Sequence, residues 1–526
     1  MDSDRRDKRQ DMKEAIKAFR EIRKKAFQGG GPEKIEKIHQ QGKLTARERI
    51  EYLVDSGSFV ELDTLAETQC TDFGLDKRKL PGDAVVIGHA AISGKPVCLY
   101  AHDTTILGGS GGGITIRKMS RAIDLAAALR VPFIGLNDSP GGRVQEGYSY
   151  LNYSGSIFYS NTQASGVVPQ ISGIMGPCAG FAVYGAALTD FVIMVDKKSQ
   201  MFITGPAVIK QVTGESINLE ELGGASVHNQ KTGVADLRAK DDKECIDLIK
   251  RILSFLPQSY LDEPPVVETG DDPARMDDDL ATLVPVDSRK PYDIKGVIRR
   301  IADNADFLEI KPEFARSVVI GFIRLDGRTV GIIGNQPQVL AGTLTVDSSD
   351  KMARFISFCD AFNIPLVFLV DIPGYFPGVD QEHSGIIRHG AKVLYAFCES
   401  TVPKISVVLR KCYGGGLAAM GVHKAQGTDL VLAWPTAEIS VMGAEGAVEF
   451  LHRKLIEEAD NPDEIREQLK KEYREKFANP YYVARKTIID DVIEPRETRF
   501  RLIRALEFLS SKKESRIPRK HGNMPV

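Results

Sequence analysis

The chain carries the same run of sequence twice, and a duplication more than 200 residues long restricts it to two homologous domains. In the first half, Arg130-Val131-Pro132-Phe133-Ile134-Gly135-Leu136-Asn137-Asp138-Ser139-Pro140-Gly141 leads, 37 residues after Pro132, to a second Pro-led apolar run at Pro169. In the second half, Asn363-Ile364-Pro365-Leu366-Val367-Phe368-Leu369-Val370-Asp371-Ile372-Pro373-Gly374 leads, 38 residues after Pro365, to Pro403. Thr189-Asp190-Phe191-Val192-Ile193 matches Thr428-Asp429-Leu430-Val431-Leu432, and Gly94-Lys95-Pro96-Val97 matches Gly327-Arg328-Thr329-Val330. Solenoid repeats recur every 20–50 residues or so, which excludes that architecture. The Asp-Glu-Pro-Pro and Gly-Asp-Asp-Pro clusters of Leu261–Thr282 read as a linker and place the domains at residues 1–265 and 266–526.

Within each half, short apolar runs alternate with helical patterns. Val85–Ile87, Val97–Tyr100 and Phe133–Leu136 read as buried strands, and Met119–Leu129 and Met352–Ala361 as helices on the 3.6 period. The alternation predicts α/β domains with largely buried sheets.

Composition narrows the function. A formal net charge of −2 gives no bulk attraction for nucleic acid or a membrane surface. The seven cysteines are scattered, with no Cys-x-x-Cys pair, against both a zinc module and a disulfide framework. No apolar stretch approaches the roughly 20 residues of a membrane span. Met1–Lys25 mixes charges of both signs and reads as an exposed amphipathic helix, not a leader. The expectation is a cytoplasmic protein.

Each Pro-led strand ends in a Gly-rich turn, Met175-Gly176-Pro177-Cys178-Ala179-Gly180-Phe181 and Arg410-Lys411-Cys412-Tyr413-Gly414-Gly415-Gly416, and each turn opens an Ala-rich helix. A strand, a tight turn and a helix start aim free backbone N–H groups at one point, which favours a developing negative charge without any ionisable side chain. The donors expected are Gly180 and Phe181 in one half and Gly415 and Gly416 in the other. Two such sites suit a reaction with two enolate-like partners.

Three further loops carry possible chemistry. Thr104–Gly113, with Gly108, Gly109 and Ser110, precedes Arg117, Lys118 and Arg121, a pattern that could bring backbone N–H groups and cations to a phosphate. It matches neither a P-loop nor a dinucleotide fingerprint. Asp138-Ser139-Pro140-Gly141-Gly142-Arg143 leaves room for a ligand beside the backbone, and a serine nucleophile at Ser139 is disfavoured because no His lies near it in sequence. Gly374–Gly390, rich in Gly, aromatic and polar residues, reads as a pocket wall, and its His383 and His389 lack a carboxylate set with metal spacing.

At these motifs the chain resembles the biotin-dependent acyl-CoA carboxyltransferases, which include propionyl-CoA carboxylase β subunits, the large transcarboxylase subunit and methylmalonyl-CoA decarboxylase α subunits. The likeness runs from Gly42-Lys43-Leu44-Thr45-Ala46-Arg47-Glu48-Arg49 through Phe202-Ile203-Thr204-Gly205-Pro206 and Ile386-Ile387-Arg388-His389-Gly390-Ala391-Lys392 to Ala433-Trp434-Pro435-Thr436-Ala437-Glu438-Ile439. The resemblance implies two tandem crotonase-like domains built from repeated βαβ units. It implies acyl-CoA on the N-terminal domain, at Gly108, Gly109, Ser110, Gly141, Gly142, Arg143 and Ala179, with the thioester enolate oxygen on Gly180 and Phe181. It implies biotin on the C-terminal domain, at Gly374, Tyr375, Ile387 and Gly414, with the ureido oxygen on Gly415 and Gly416, the two sites meeting across a subunit interface. No metal is implied. The chain has no Met-Lys-Met biotinylation site, so the expected partners are a biotin carboxyl carrier protein and a biotin carboxylase or membrane decarboxylase subunit, with a homo-oligomer, a hexamer, as the assembly. The family's usual Asp-Ser-Gly-Gly-Ala-Arg and Cys-Ala-Gly-Gly-Ala are altered here at Pro140 and Phe181, and Leu417 and Thr343-Leu344-Thr345-Val346 also depart. These changes cluster at the inferred centre and predict an atypical acyl substrate. Competing readings are a biotin-free crotonase-type hydratase or isomerase, which would want a carboxylate pair beside the thioester, and a catalytically silent scaffold subunit.

Overall fold

The computed structural model describes residues 2–78 and 80–525. The chain forms two compact units that divide between Leu261 and Asp262. The first holds β1 (Val60–Leu62), β2 (Val85–Ile92), β3 (Lys95–His102), β4 (Phe133–Ser139), β5 (Gln170–Ala179), β6 (Phe191–Val195), β7 (Gln200–Phe202) and β8 (Leu237–Ala239). The second repeats the series as β9 (Phe307–Ile310), β10 (Val318–Leu325), β11 (Arg328–Asn335), β12 (Leu366–Ile372), β13 (Lys404–Tyr413), β14 (Leu430–Ala433), β15 (Glu438–Ser440) and β16 (Asp491–Val492). The sheet orders are β1-β2-β3-β4-β5-β6-β8 and β9-β10-β11-β12-β13-β14-β16, with β7 on the far end of β5 and β15 on that of β13.

From β3 and β11 onward the pairing is parallel, joined by crossover helices as the alternating pattern predicts. The first crossover helices are Gly113–Leu129 and Val346–Ala361, and the second are Tyr148–Ala164 and Ile386–Glu399. The leading strands are instead antiparallel hairpins. Ser93-Gly94 and Asp326-Gly327 sit at φ 51°, 76° and 51°, 72°, the left-handed pair that a two-residue hairpin turn needs. β4, β12 and β13 are buried along their whole length, which explains sequences apolar at both parities.

The first half's core gathers Ile87, Tyr100, Ile123, Phe133 and Val168, and the second's gathers Ile298, Ile332, Leu369, Leu409 and Trp434. The Asp2–Gln28 helix is exposed at every position from 11 to 25, the apolar Ile16, Phe19 and Ile22 included, while Met1 lies outside the described residues. Leu261–Thr282 is not a free linker. Thr269 Oγ1 donates to Asp303 at 3.1 Å, and Asn304 N donates to Asp271 at 2.9 Å. No helix among the described residues is long and apolar enough to cross a membrane.

Candidate active site

In each half, β5 or β13 runs past its main neighbour to pair with the short β7 or β15, and the Gly turn follows directly. The register makes Gly180 equivalent to Gly414: Gly180 N donates to Phe202 O at 3.0 Å and Gly414 N to Ser440 O at 3.2 Å, each completing the short ladder. Three residues on, Val183 N and Leu417 N close the first helical turn onto Gly180 O and Gly414 O at 3.3 and 3.2 Å. Between these bonds the N–H groups of Phe181 and Ala182, and of Gly415 and Gly416, have no acceptor among the described residues. The predicted pair Gly415 and Gly416 therefore offers free donors. In the first half the free pair is shifted by one residue from the expected Gly180 and Phe181, because the Gly180 N–H completes a strand. Gly180 is glycine for its φ of 64°, and Phe181, at φ −60° and ψ −25°, occupies ordinary helical space that any residue can adopt.

A second loop meets each turn. Gly111 N donates to Gly141 O at 2.9 Å and Arg143 N to Gly111 O at 2.7 Å, leaving the Gly142 N–H without an acceptor among the described residues. The second half reproduces this with Leu344 N to Gly374 O at 3.2 Å and Phe376 N to Leu344 O at 2.8 Å, leaving the Tyr375 N–H. A Cβ on Gly141 would lie 2.9 Å from Ala179 O, so this loop touches the strand end that carries the turn. Gly141, Gly142, Ala179, Gly180 and Phe181 are thus brought together, as are Tyr375 and Gly414–Gly416. Ile387, on the opening turn of its helix, projects into solvent.

An aromatic ring backs each loop, supplied from different elements. In the first half, Tyr150 of the second crossover helix lies against Gly111 and Gly142, and a side chain on Gly142 would overlap the ring. In the second half the loop's own Tyr375 lies against Gly390 of the equivalent helix and against Gly415. Burial pushes both phenols up to about 12.

Several predicted ligand groups are engaged inside the protein. Arg143, almost wholly buried, pairs with Asp83 at 2.9 Å and Glu146 at 2.6 Å and donates to Ser110 O at 2.7 Å, so its guanidinium ties the two loops together and is not free for a phosphate. The Gly113–Leu129 helix start is likewise occupied: Gly113 N donates to Glu146 at 2.7 Å and Thr115 N to Asp83 at 3.0 Å. Lys118 does not supply surface charge. Its ammonium donates to Gly82 O at 2.8 Å and Val85 O at 2.5 Å, and burial lowers it to about 8. Its repeat, Lys351, donates to Lys311, Phe314 and Val318 carbonyls at 2.8–2.9 Å and is lowered by burial to about 7. Gly109 lies against the Asp138 carbonyl, whereas Gly108 stands in open space. Ser139 Oγ accepts from Gly141 N at 3.2 Å, orienting the turn instead of serving as a nucleophile.

The duplicated aspartates are ion-paired. Asp138 binds Arg49 at 3.0 Å and Lys43 at 2.5 Å, while Asp371 binds Arg410 at 3.0 Å and accepts from Lys411 N at 3.1 Å. His389 pairs with Asp350 at 2.8 Å beside Lys392, and no group of three or more potential metal ligands occurs among the described residues. His102, which sequence reasoning passed over, is buried behind the first turn. Burial lowers it to about 4, so it is neutral at pH 7.

Comparison with known proteins agrees in both sequence and fold. A carboxyl transferase domain matches residues 37–524. The chain is 51% identical over 515 residues to a propionyl-CoA carboxylase carboxyltransferase subunit of Haloferax mediterranei, covering 98% of this chain and 100% of the relative. It is 49% identical over 518 residues to a methylmalonyl-CoA decarboxylase subunit alpha of Propionigenium modestum, with the same coverage. A transcarboxylase 12S crystal structure with methylmalonyl-coenzyme A and methylmalonic acid bound superposes with a TM-score of 0.94 at 47% identity, over 97% of this chain and 98% of that one.

Proposed function

Since the chain belongs to the carboxyl transferase domain family, we propose that it moves a carboxyl group between carboxybiotin on a separate carrier protein and the α-carbon of a short acyl-CoA of the propionyl/methylmalonyl kind. The observation that carries this reading is the pair of donor sets, Gly142 with Phe181 and Ala182, and Tyr375 with Gly415 and Gly416, each holding backbone N–H groups free of acceptors. In the first half the donors hold the thioester oxygen as negative charge develops on it, which lowers the barrier to forming a nucleophilic α-carbon; losing one such donor costs about 10²–10³ in rate. In the second half the donors fit a ureido oxygen, since backbone N–H groups suit a neutral carbonyl and no cation is needed. Carboxybiotin, when bound, supplies the transferable carboxyl group. The Asp138 and Asp371 ion pairs hold the loops so that the donors are fixed before substrate arrives. The carrier, a biotin carboxylase or membrane decarboxylase partner, and a hexameric assembly like that of the transcarboxylase 12S relative belong to the same proposal.

The test is decarboxylation of methylmalonyl-CoA by the purified chain with and without free biotin. Biotin-dependent CO₂ release supports the reading. Absence of release from a folded chain that binds acyl-CoA rejects it in favour of biotin-free chemistry or a silent subunit.

A further inference from the structure

A small cavity opens beside the first donor set. Phe181 and Ala182, whose N–H groups are free, stand at its edge, and Tyr100, Ile116, Met119, Tyr150, Ile157 and Phe158 form the rest of its apolar wall. The volume, about 20 Å³, is room for one methyl group or one water. Besides the hydroxyls of Tyr100 and Tyr150, the first of which donates to Asn137 Oδ1 at 2.9 Å, its polar side chains are His102, Ser139 and Ser154. His102 is held neutral, Ser139 Oγ accepts from Gly141 N, and Ser154 Oγ donates to Leu151 O at 2.7 Å. No cationic side chain lines the cavity among the described residues, so a carboxylate placed there would lose its hydration without a charged partner.

We propose that Phe181 sets the acyl-size limit of this site: its ring closes the cavity so that a single methyl on the α-carbon enters, while the α-carboxyl group stays outside. The inference rests on the thioester oxygen being held by the Phe181 and Ala182 N–H groups. The Phe181 ring is braced by its aromatic neighbours. It stacks on Phe158 at 6.0 Å between centroids and 17° between planes, and meets Tyr184 edge-on at 6.4 Å, while Tyr184 in turn meets Phe158 at 6.1 Å. Three mutually supporting rings hold it there. The backbone at 181 tolerates any side chain, so the phenyl group is a property of the pocket and not a demand of the turn. On this reading the departure from the family pattern at this position narrows the site to a short acyl group.

Calorimetric binding of acetyl-, propionyl-, butyryl- and hexanoyl-CoA to the full chain tests this, because no carboxyl donor is then present. Wild type is expected to bind propionyl-CoA about tenfold more tightly than butyryl-CoA, the discrimination typical of one methylene. Phe181→Ala should abolish or invert that preference, and Phe181→Leu, which keeps an apolar wall, should fall between. Equal wild-type affinities for propionyl- and butyryl-CoA, or an unchanged ratio in whichever variant melts like wild type, overturns the proposal. If the ratio fails while methylmalonyl-CoA is still decarboxylated with biotin, only the Phe181 inference is lost. If folded wild type binds no acyl-CoA at all, the proposed function falls with it.

Discussion

The Asp371–Arg410 pair lends itself to a quantitative test. Both side chains are buried, and Asp371 accepts from Arg410 Nε at 3.0 Å and from Lys411 N at 3.1 Å. Arg410 Nη1 also donates to the carbonyls of Pro285, Asp287 and Lys290 at 2.8–3.2 Å. Replacing Asp371 by Ala leaves a guanidinium buried without its counter-charge, which costs about 3–5 kcal/mol. Trp434 is the only tryptophan in the chain, is buried in the second unit, and donates Nε1 to Thr498 Oγ1 at 3.0 Å, so its fluorescence reports that unit alone. With a urea m-value of about 3 kcal/mol/M, the midpoint should fall by about 1–1.7 M. The double variant Asp371→Leu with Arg410→Met removes both charges and should cost less than the two single substitutions combined, by about 3 kcal/mol. A midpoint shift under about 0.3 M, or strict additivity of the two changes, would refute the argument that this pair is a desolvated, mutually dependent unit.

Three other outcomes are expected. Gly414 sits at φ 52° and ψ −132°, a region closed to side chains, so Gly414→Ala should cost about 1–3 kcal/mol and lower carboxyl-transfer kcat about 10²–10³-fold, read by urea melts and turnover together. The His102 imidazole, lowered from an ordinary 6.5 to about 4, binds its proton less readily folded than unfolded, so stability should fall as pH drops from 6.5 to 4, by about 3 kcal/mol; His102→Leu should flatten that slope in urea midpoints measured across this range. Of the seven free thiols, only Cys398 is exposed and Cys70 half-buried, while burial holds Cys98 near 11 and Cys178 near 12, so the native chain should titrate no more than two thiols with a disulfide reagent before denaturant releases the rest.

The duplication and the apolar runs carried the fold. Phe133–Leu136 grew into β4 and Met352–Ala361 into the end of a longer crossover helix, because period and burial are local signals. The hairpins are less legible: Ser93-Gly94 and Asp326-Gly327 are turn sequences, but their place in the repeat does not by itself reveal the left-handed backbone they adopt. The one-residue displacement of the first donor pair has a similar origin. Gly180 drew attention as a glycine, but its N–H belongs to a strand pairing that only the register with Phe202 reveals. Lys118 reads as a phosphate counter-charge and Arg143 as an acyl-CoA ligand because sequence gives charges without their partners; Asp83, the common counter-ion of Arg143 and the helix start, lies 60 residues away from Arg143.

The exchange of ring and glycine behind the two loops constrains how the halves can change. Transplanting the Tyr375 loop into the first half would set a second ring into the space that Tyr150 already fills, while moving the Gly142 loop opposite Gly390 would leave a ring-sized gap. Exchange of these loops between the halves is therefore costly at the place where their backbone pairing is most alike. Each loop and the helix behind it form a sterically matched pair, so a change of ring size in one calls for a compensating change in the other.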